Sequence, residues 1–252
     1  MINLKYIVVG TGRCGTVYFA RFLTDLGIPC GHESIFDVHS NQYNLENKLN
    51  NGDVSLSMVS KREHLTGKLH PEWVDLKRIS ADSSYLSAPL LNHRALENCS
   101  VFHVIRNPLD VINSFVLDGN FFTDNLEVKT SALHWIYHIR PYEKIMSDNV
   151  PEILCWKNSI DKAAVYYMGW NELIEANSLN KKYYRHKIEN GITQEVFEFF
   201  NLEPTDSYFN NKKINSWNNN RTFEYTLDDL SEPIGIRLEK MMKRYGYLNV
   251  FF

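Results

Sequence analysis

The sequence predicts an α/β protein, a three-layer sandwich in which a mostly parallel central sheet is flanked by helices. Three observations carry this. Short apolar strand patterns alternate with helical ones along the chain, the order expected of parallel strands joined by crossover helices. A glycine-rich run, Gly10-Thr11-Gly12-Arg13-Cys14-Gly15-Thr16, joins the first strand pattern to the first helical pattern. The apolar run Val101 to Ile105 leads into Asn107 and Pro108, an N-cap residue followed by proline at the first helical position.

In chain order, Leu4 to Val9 reads as the first strand. From Thr16 to Leu26, the residues Phe19, Phe22, Leu23 and Leu26 share one helix face at three- and four-residue spacing, and Gly27 is a C′ stop. An extended piece, Ile28 to Gly31, delivers His32 and Glu33 to the strand ends. Arg78 to Ala81 reads as a short strand, Tyr85 to Leu96 as a helix and Val101 to Ile105 as a buried strand. Helices follow at Lys129 to Met146 and Ser159 to Ala176, then a strand from Lys182 to Ile188 and a helix from Thr193 to Phe200. A polar loop, Asn215 to Arg221, precedes a last helix ending near Tyr245. The stretch Ser40 to Pro71 is polar and weakly periodic, which suggests a lid or an insertion. No repeat or Pro/Gly-rich linker divides the chain, so residues 1–252 are expected to form one domain.

With 252 residues, 44% of them hydrophobic, the chain can bury a sizeable core. A net charge of −3 and a pI near 6.3 give no global pull toward nucleic acid or an anionic membrane, so any anion site must be local. No apolar run has the length of a membrane span, and no leader pattern is present. The four cysteines, Cys14, Cys30, Cys99 and Cys155, lack metal-ligand spacing and suit a reducing, cytoplasmic compartment. Neither a structural disulfide nor zinc is expected.

The glycine run fits several templates. At a strand-to-helix junction its backbone N–H groups would point at an anion. Gly10, Gly12 and Gly15 satisfy G-x-G-x-x-G, and Glu33 lies about where a Rossmann acidic residue would bind a ribose, so an NAD(P) oxidoreductase is one candidate. The outer spacing also matches G-x-x-x-x-G-K-[ST], but Thr16 takes the lysine position, which counts against a kinase or ATPase. Arg13 supplies positive charge within the loop instead. A tight turn with no ligand is the plainest alternative.

A second run, Val101-Phe-His-Val-Ile-Arg106-Asn-Pro108-Leu-Asp-Val-Ile-Asn-Ser114, pairs a strand-end arginine with a helix hydroxyl. If the helix starts at Pro108, Ser114 lies roughly 9 Å along it, far enough to bracket a phosphate with Arg106. An ordinary arginine ion pair and a helix serine would give the same residues. Two anion holes in one chain suit a nucleotide phosphorylated at both its 5′ and 3′ ends.

Taken together, these two segments resemble sulfotransferases that use 3′-phosphoadenosine 5′-phosphosulfate (PAPS), enzymes with a P-loop-like sheet. The run Gly10 to Thr16 is similar to their 5′-phosphosulfate loop. Arg106 and Ser114, with Pro108 between them, are similar to their 3′-phosphate motif, and Tyr184-Arg-His-Lys-Ile-Glu189-Asn resembles a late strand of the family. The resemblance implies sulfuryl transfer from PAPS to a hydroxyl or amine, with PAP (3′,5′-ADP) as product and no metal. It implies cofactor contacts from Gly12, Arg13, Cys14, Gly15, Thr16, Arg106 and Ser114. The segment Cys30-Gly-His32-Glu33-Ser resembles the Gly-Glu-Glu stretch of tyrosylprotein-type members, which makes Glu33 the first choice as general base, its pKa raised by partial burial, and His32 the second. Arg13 would carry leaving-group charge.

The acceptor is expected to be a small molecule, a glycan or another hydroxyl-bearing compound; no nucleic-acid partner and no membrane span are expected. Where many relatives have a lysine before Ser-Pro, this chain reads Ala81-Asp82-Ser83-Ser84-Tyr85; Lys61, Arg62 or Arg78 could stand in, or Arg13 could act alone. Arg221 is a weak counterpart of a late basic loop and is better read as a solvated residue. Trp135, Tyr137, Tyr166, Tyr167 and Trp170 could stack on adenine or line the acceptor pocket, though their helical spacing also suits a core. A non-catalytic nucleotide-binding protein on the same fold is the remaining alternative.

Overall fold

A computed structural model describes residues 2–51, 79–118, 121–122, 140–205 and 224–248. Its strands are β1 (Tyr6–Gly10), β2 (Cys30–His32), β3 (Ala81–Ser83), β4 (Ser100–Ile105) and β5 (Tyr183–Lys187). Its helices are α1 (Thr16–Asp25), α2 (Leu45–Asn51), α3 (Pro108–Asn113), α4 (Arg140–Asn149), α5 (Ser159–Asn177), α6 (Gln194–Phe200) and α7 (Glu232–Arg244). The five strands make one sheet in the order β2-β3-β1-β4-β5, and every pairing is parallel. The protein is therefore α/β, with an all-parallel central sheet flanked by helices.

Parallel strands buried on both faces need near-continuous apolar runs, and Ile7, Val8 and Val9 of β1 and Val101, Phe102 and Val104 of β4 are fully buried. Because all strands point the same way, the segments leaving β1, β2 and β3 emerge from one edge of the sheet. Ligands of open parallel sheets bind at that edge.

The chain divides into two compact units. One comprises Met1–Ile105 with Leu173–Ser216, the other Arg106–Glu172 with Trp217–Phe252. The first holds the sheet, α1, α2 and α6. Within it, Phe19 and Phe22 of α1 are fully buried, and Phe19 meets Phe102 of β4 at a ring separation of 4.9 Å. Gly27 ends α1 as expected: with φ of 86° it donates its N–H to the Thr24 carbonyl, while Ile28 donates to that of Leu23. That pair of bonds is a Schellman motif, and it turns the chain toward β2. The second unit holds α3, α4, most of α5, and α7. Its interior includes Phe115, Tyr166, Tyr167 and Trp170.

Three elements differ from expectation. Tyr85 to Leu96 is not one α-helix but two 3₁₀ turns, Tyr85–Leu90 and Arg94–Leu96. Pro89 lies inside the first, where it has no N–H to give to an α ladder, and His93 caps the second through its ring nitrogen. The third strand, expected to end at Ala81, begins there among the described residues and runs to Ser83, its register set by pairing with Tyr6 to Val8; Arg78 lies outside the described residues. The polar stretch after Ser40 contains α2, which buries Leu45 and Leu49. The expected helix from Lys129 is described only from Arg140, and the polar loop Asn215 to Arg221 lies outside the described residues.

Candidate functional site

The loop after β1 is built by backbone constraint. A Cβ on Gly10 would lie 2.3 Å from the Val104 carbonyl oxygen of β4, so no larger residue fits there without moving the sheet. Arg13 and Gly15 take left-handed φ values of 68° and 94°. The loop closes on itself through the Cys14 N–H, which donates to the Thr11 carbonyl at 3.3 Å, and through the buried Thr11 hydroxyl and Cys14 thiol, 2.6 Å apart. Gly15 is the N-cap of α1 and supplies no side-chain cap. The start of α1 thus presents N–H groups and the positive end of its dipole, with the exposed Arg13 beside them in the chain. Such an arrangement stabilises an anion.

The end of β2 brings His32 and Glu33 to this loop. His32 Nε2 lies 3.1 Å from the Thr16 hydroxyl, on the first residue of α1, and 4.0 Å from Glu33 Oε1. All three side chains are buried. Glu33 has φ of 52°, an unusual conformation for a residue with a side chain, and its N–H donates to the Ser83 carbonyl at 3.2 Å. Ser83 also donates its hydroxyl to the Thr16 carbonyl at 2.6 Å. Within the first unit, the anion loop and a carboxylate–imidazole pair are therefore tied together. Thr16, His32 and Glu33 thus place a hydroxyl, an imidazole and a carboxyl side by side, the groups that general acid–base chemistry uses.

Asp82 does not stand out in the sequence, where the segment Ala81 to Tyr85 is notable only for lacking a lysine. It is fully buried, and its carboxylate accepts three successive backbone N–H groups just beyond Glu33. The strand expected from the sequence ends at Ala81, one residue short of Asp82, so no signal for this role was available.

In the second unit, Asn107 caps α3 with its side-chain oxygen, which accepts the Leu109 N–H at 3.0 Å, and Pro108 takes the first turn. Arg106 pairs with Asp110 at 3.6 Å, and its carbonyl accepts the Tyr167 hydroxyl at 2.8 Å. Ser114 is buried where α3 gives way to a π-helical turn, Ser114–Asp118, so the helix does not run on unbroken as the sequence suggests. Asn113 anchors this junction: its amide donates to the Leu109 and Tyr225 carbonyls and accepts the Tyr225 N–H. Tyr166, Tyr167 and Trp170 are core side chains. Lys61, Arg62, Arg78, Trp135, Tyr137 and Arg221 lie outside the described residues.

Comparison with protein-family models finds no match, and comparison with curated proteins finds none. All four cysteines are free thiols. Among the described residues, no helix is long and apolar enough to cross a membrane, and no three His, Cys, Asp or Glu side chains are grouped to hold a metal ion.

Proposed function

We propose that the protein is a cytoplasmic PAPS-dependent sulfotransferase acting on a hydroxyl or amine of a small molecule, a glycan or a related acceptor. The observation that carries this is the glycine loop off the central strand, with buried Thr16, His32 and Glu33 joined to the first turn of the helix it opens. The strand order supports the same reading. In a dinucleotide-binding Rossmann sheet the first strand lies beside the second, whereas here β1 lies between β3 and β4. That counts against an NAD(P) oxidoreductase, and threonine in place of the P-loop lysine counts against a triphosphate.

Bound PAPS would supply an activated sulfuryl group, with PAP as the leaving nucleotide. The amides of Gly12 to Thr16 would hold its 5′ end, with Arg13 adding charge where the leaving oxygen becomes anionic. Glu33 would take the proton from the acceptor O–H as the new S–O bond forms and the old one breaks, leaving the electron pair on the departing phosphate. His32, already bonded to Thr16, would orient Glu33 or relay its proton. Arg106 and Ser114 would read the 3′-phosphate. The experiment is a thermal-shift comparison of 3′,5′-ADP, NADH, NADPH and ATP, followed by transfer of labelled sulfate from PAPS to an extract as acceptor pool. Stabilisation by 3′,5′-ADP together with transfer is expected. Stabilisation by NADH with none from 3′,5′-ADP overturns the assignment.

A further inference from the structure

We propose that Asp82 is a positioning residue, whose carboxylate locks the backbone of Ser34, Ile35 and Phe36 and thereby holds Glu33 against His32. The mechanistic part rests on the sulfotransferase reading above; the structural part does not. One oxygen of Asp82 accepts the Ser34 N–H at 3.2 Å, and the other accepts those of Ile35 and Phe36 at 3.0 and 3.1 Å. These three amides directly follow the left-handed Glu33. On the other side, the Glu33 N–H is held by the carbonyl of the next residue in β3, Ser83. Ser84 completes the set, its hydroxyl donating to the Phe36 carbonyl at 2.8 Å. Two residues of β3 and the one that follows it thus fix a loop that has no regular structure of its own, and a left-handed glutamate persists only where its surroundings over-determine it.

Gly31 belongs to the same device. A Cβ there would lie 2.5 Å from Asp82 Oδ1 and 2.7 Å from Ser34 Cβ, so the close approach of carboxylate and loop requires glycine. Asp82 is also expensive to keep charged. Its pKa stands raised to about 6, chiefly by burial and in part by the negative Asp37, with the three amides pulling the other way less strongly. The other ionisable groups around it are the Cys30 thiol on β2, held protonated by burial and by Asp82 itself, and His32 and Glu33 at the neighbouring strand end. Lys48 of α2 is engaged by Asp37 at 2.8 Å. All three bonds of this buried carboxylate go to the backbone of one loop, so what it fixes is the path of that loop.

The substitution Asp82→Asn tests this, since an amide oxygen can face two of the three N–H groups but presents an NH₂ to the remaining one. Amide exchange of Ser34 to Phe36 at pH 7.5 is expected to speed up roughly tenfold or more, relative to amides of β4 in the same protein. In wild type, opening the loop while Asp82 stays buried removes the three N–H groups that lower its pKa, so these amides should open further as pH falls below about 6, where Asp82 takes its proton. With PAPS and acceptor, kcat should fall roughly tenfold to a hundredfold while 3′,5′-ADP affinity stays within about twofold, and the kcat profile should lose its limb near pH 6. Should Asp82→Asn fail to fold, Gly31→Ala displaces the same carboxylate from the opposite side, and the wild-type exchange profile needs no variant. Unchanged exchange at Ser34 to Phe36, in the variants or across pH, overturns the inference. Altered exchange with an unchanged kcat overturns its mechanistic half. Absence of any transfer by wild type would fail the sulfotransferase reading alone, leaving the exchange result to judge Asp82.

Discussion

The two segments singled out by the sequence are built in different ways. In the first unit, the Gly10 to Thr16 loop is dictated by contacts that only glycine allows, and it is bonded through Thr16 to a buried His32 beside Glu33. In the second, Arg106 forms a half-exposed ion pair with Asp110, and Ser114 is buried at a change of helical pitch. The backbone-built loop, the anion site of the proposed reading, has its shape before any ligand arrives. A site made from an arginine already paired with a carboxylate must exchange that partner for a phosphate. The first can therefore carry chemistry, where geometry decides the rate, and the second discrimination, where a difference in affinity suffices.

The sharpest way to break the comparison is at Glu33. Glu33→Gln keeps the size of the side chain and removes its ability to accept a proton, so turnover should fall by roughly 10²- to 10³-fold. Affinity for 3′,5′-ADP should survive. A single-turnover sulfate-transfer assay against His32→Ala makes the test: near-normal transfer by Glu33→Gln with loss in His32→Ala would move the base to the histidine.

The next effect concerns how acid acts on the first unit. His186 on β5 is buried among Phe19, Phe102 and Tyr184, and burial lowers its pKa to about 4 from an ordinary 6.5. Between those values the unfolded chain binds a proton that the native state refuses, so stability falls as pH drops from about 6.5 toward 4. Asp82 works in the opposite sense. Its native pKa of about 6 exceeds the ordinary 3.8, so the native state takes the proton first and stability rises as pH falls through the same range. Across its full interval each term reaches roughly 3 kcal/mol, at about 1.4 kcal/mol per unit. The wild type should thus be nearly level from pH 6 to 4.5 in urea unfolding as far as these two groups decide it. Asp82→Asn should lose stability on acidification, and His186→Phe should gain it. Parallel profiles for the three proteins would show that neither group titrates as described.

Gly10 gives a purely steric test. Gly10→Ala places a methyl against the backbone oxygen of Val104, which cannot swing aside as a side chain can. A loss of about 2 kcal/mol is expected from thermal or urea unfolding, together with weaker nucleotide binding. Gly27→Ala serves as the control, because a Cβ there meets nothing within 4 Å and only its positive φ is penalised. Equal losses at both would mean that backbone angle, not contact with β4, sets the cost.

How much of this was legible follows from where the constraints act. Glycines at a strand-to-helix junction and the Asn107-Pro108 cap are legible because backbone geometry admits few residue types there. The apolar strands and the Schellman end of α1 are legible for the same reason. Asp82 was not, since its partners are backbone amides and amides leave no mark in a sequence. Nor was α2, whose polar run Leu45-Glu-Asn-Lys48-Leu49 hides a lysine buried against Asp37 and Ser40. Periodicity alone also could not separate an α-helix from the 3₁₀ turns around Pro89.

The smallest expected effects lie in the second unit, and they decide whether it reads a phosphate at all. Arg106 is partly exposed and already shares charge with Asp110, so Arg106→Ala should weaken 3′,5′-ADP binding by about tenfold, less than a fully buried contact would. Ser114→Ala should cost roughly threefold, the loss of one neutral hydrogen bond. Affinity for 5′-AMP should be unchanged in both, because it lacks the 3′-phosphate. Asp110→Asn sharpens the case: removing the competing negative charge leaves the guanidinium more attractive to a phosphate, so 3′,5′-ADP should bind a few-fold more tightly while 5′-AMP does not. Titration calorimetry of the three variants with both nucleotides measures all of this. Equal changes for the two ligands would mean that Arg106 and Ser114 only hold α3 in place, and the likeness of this segment to a 3′-phosphate motif would then be a matter of spacing rather than recognition.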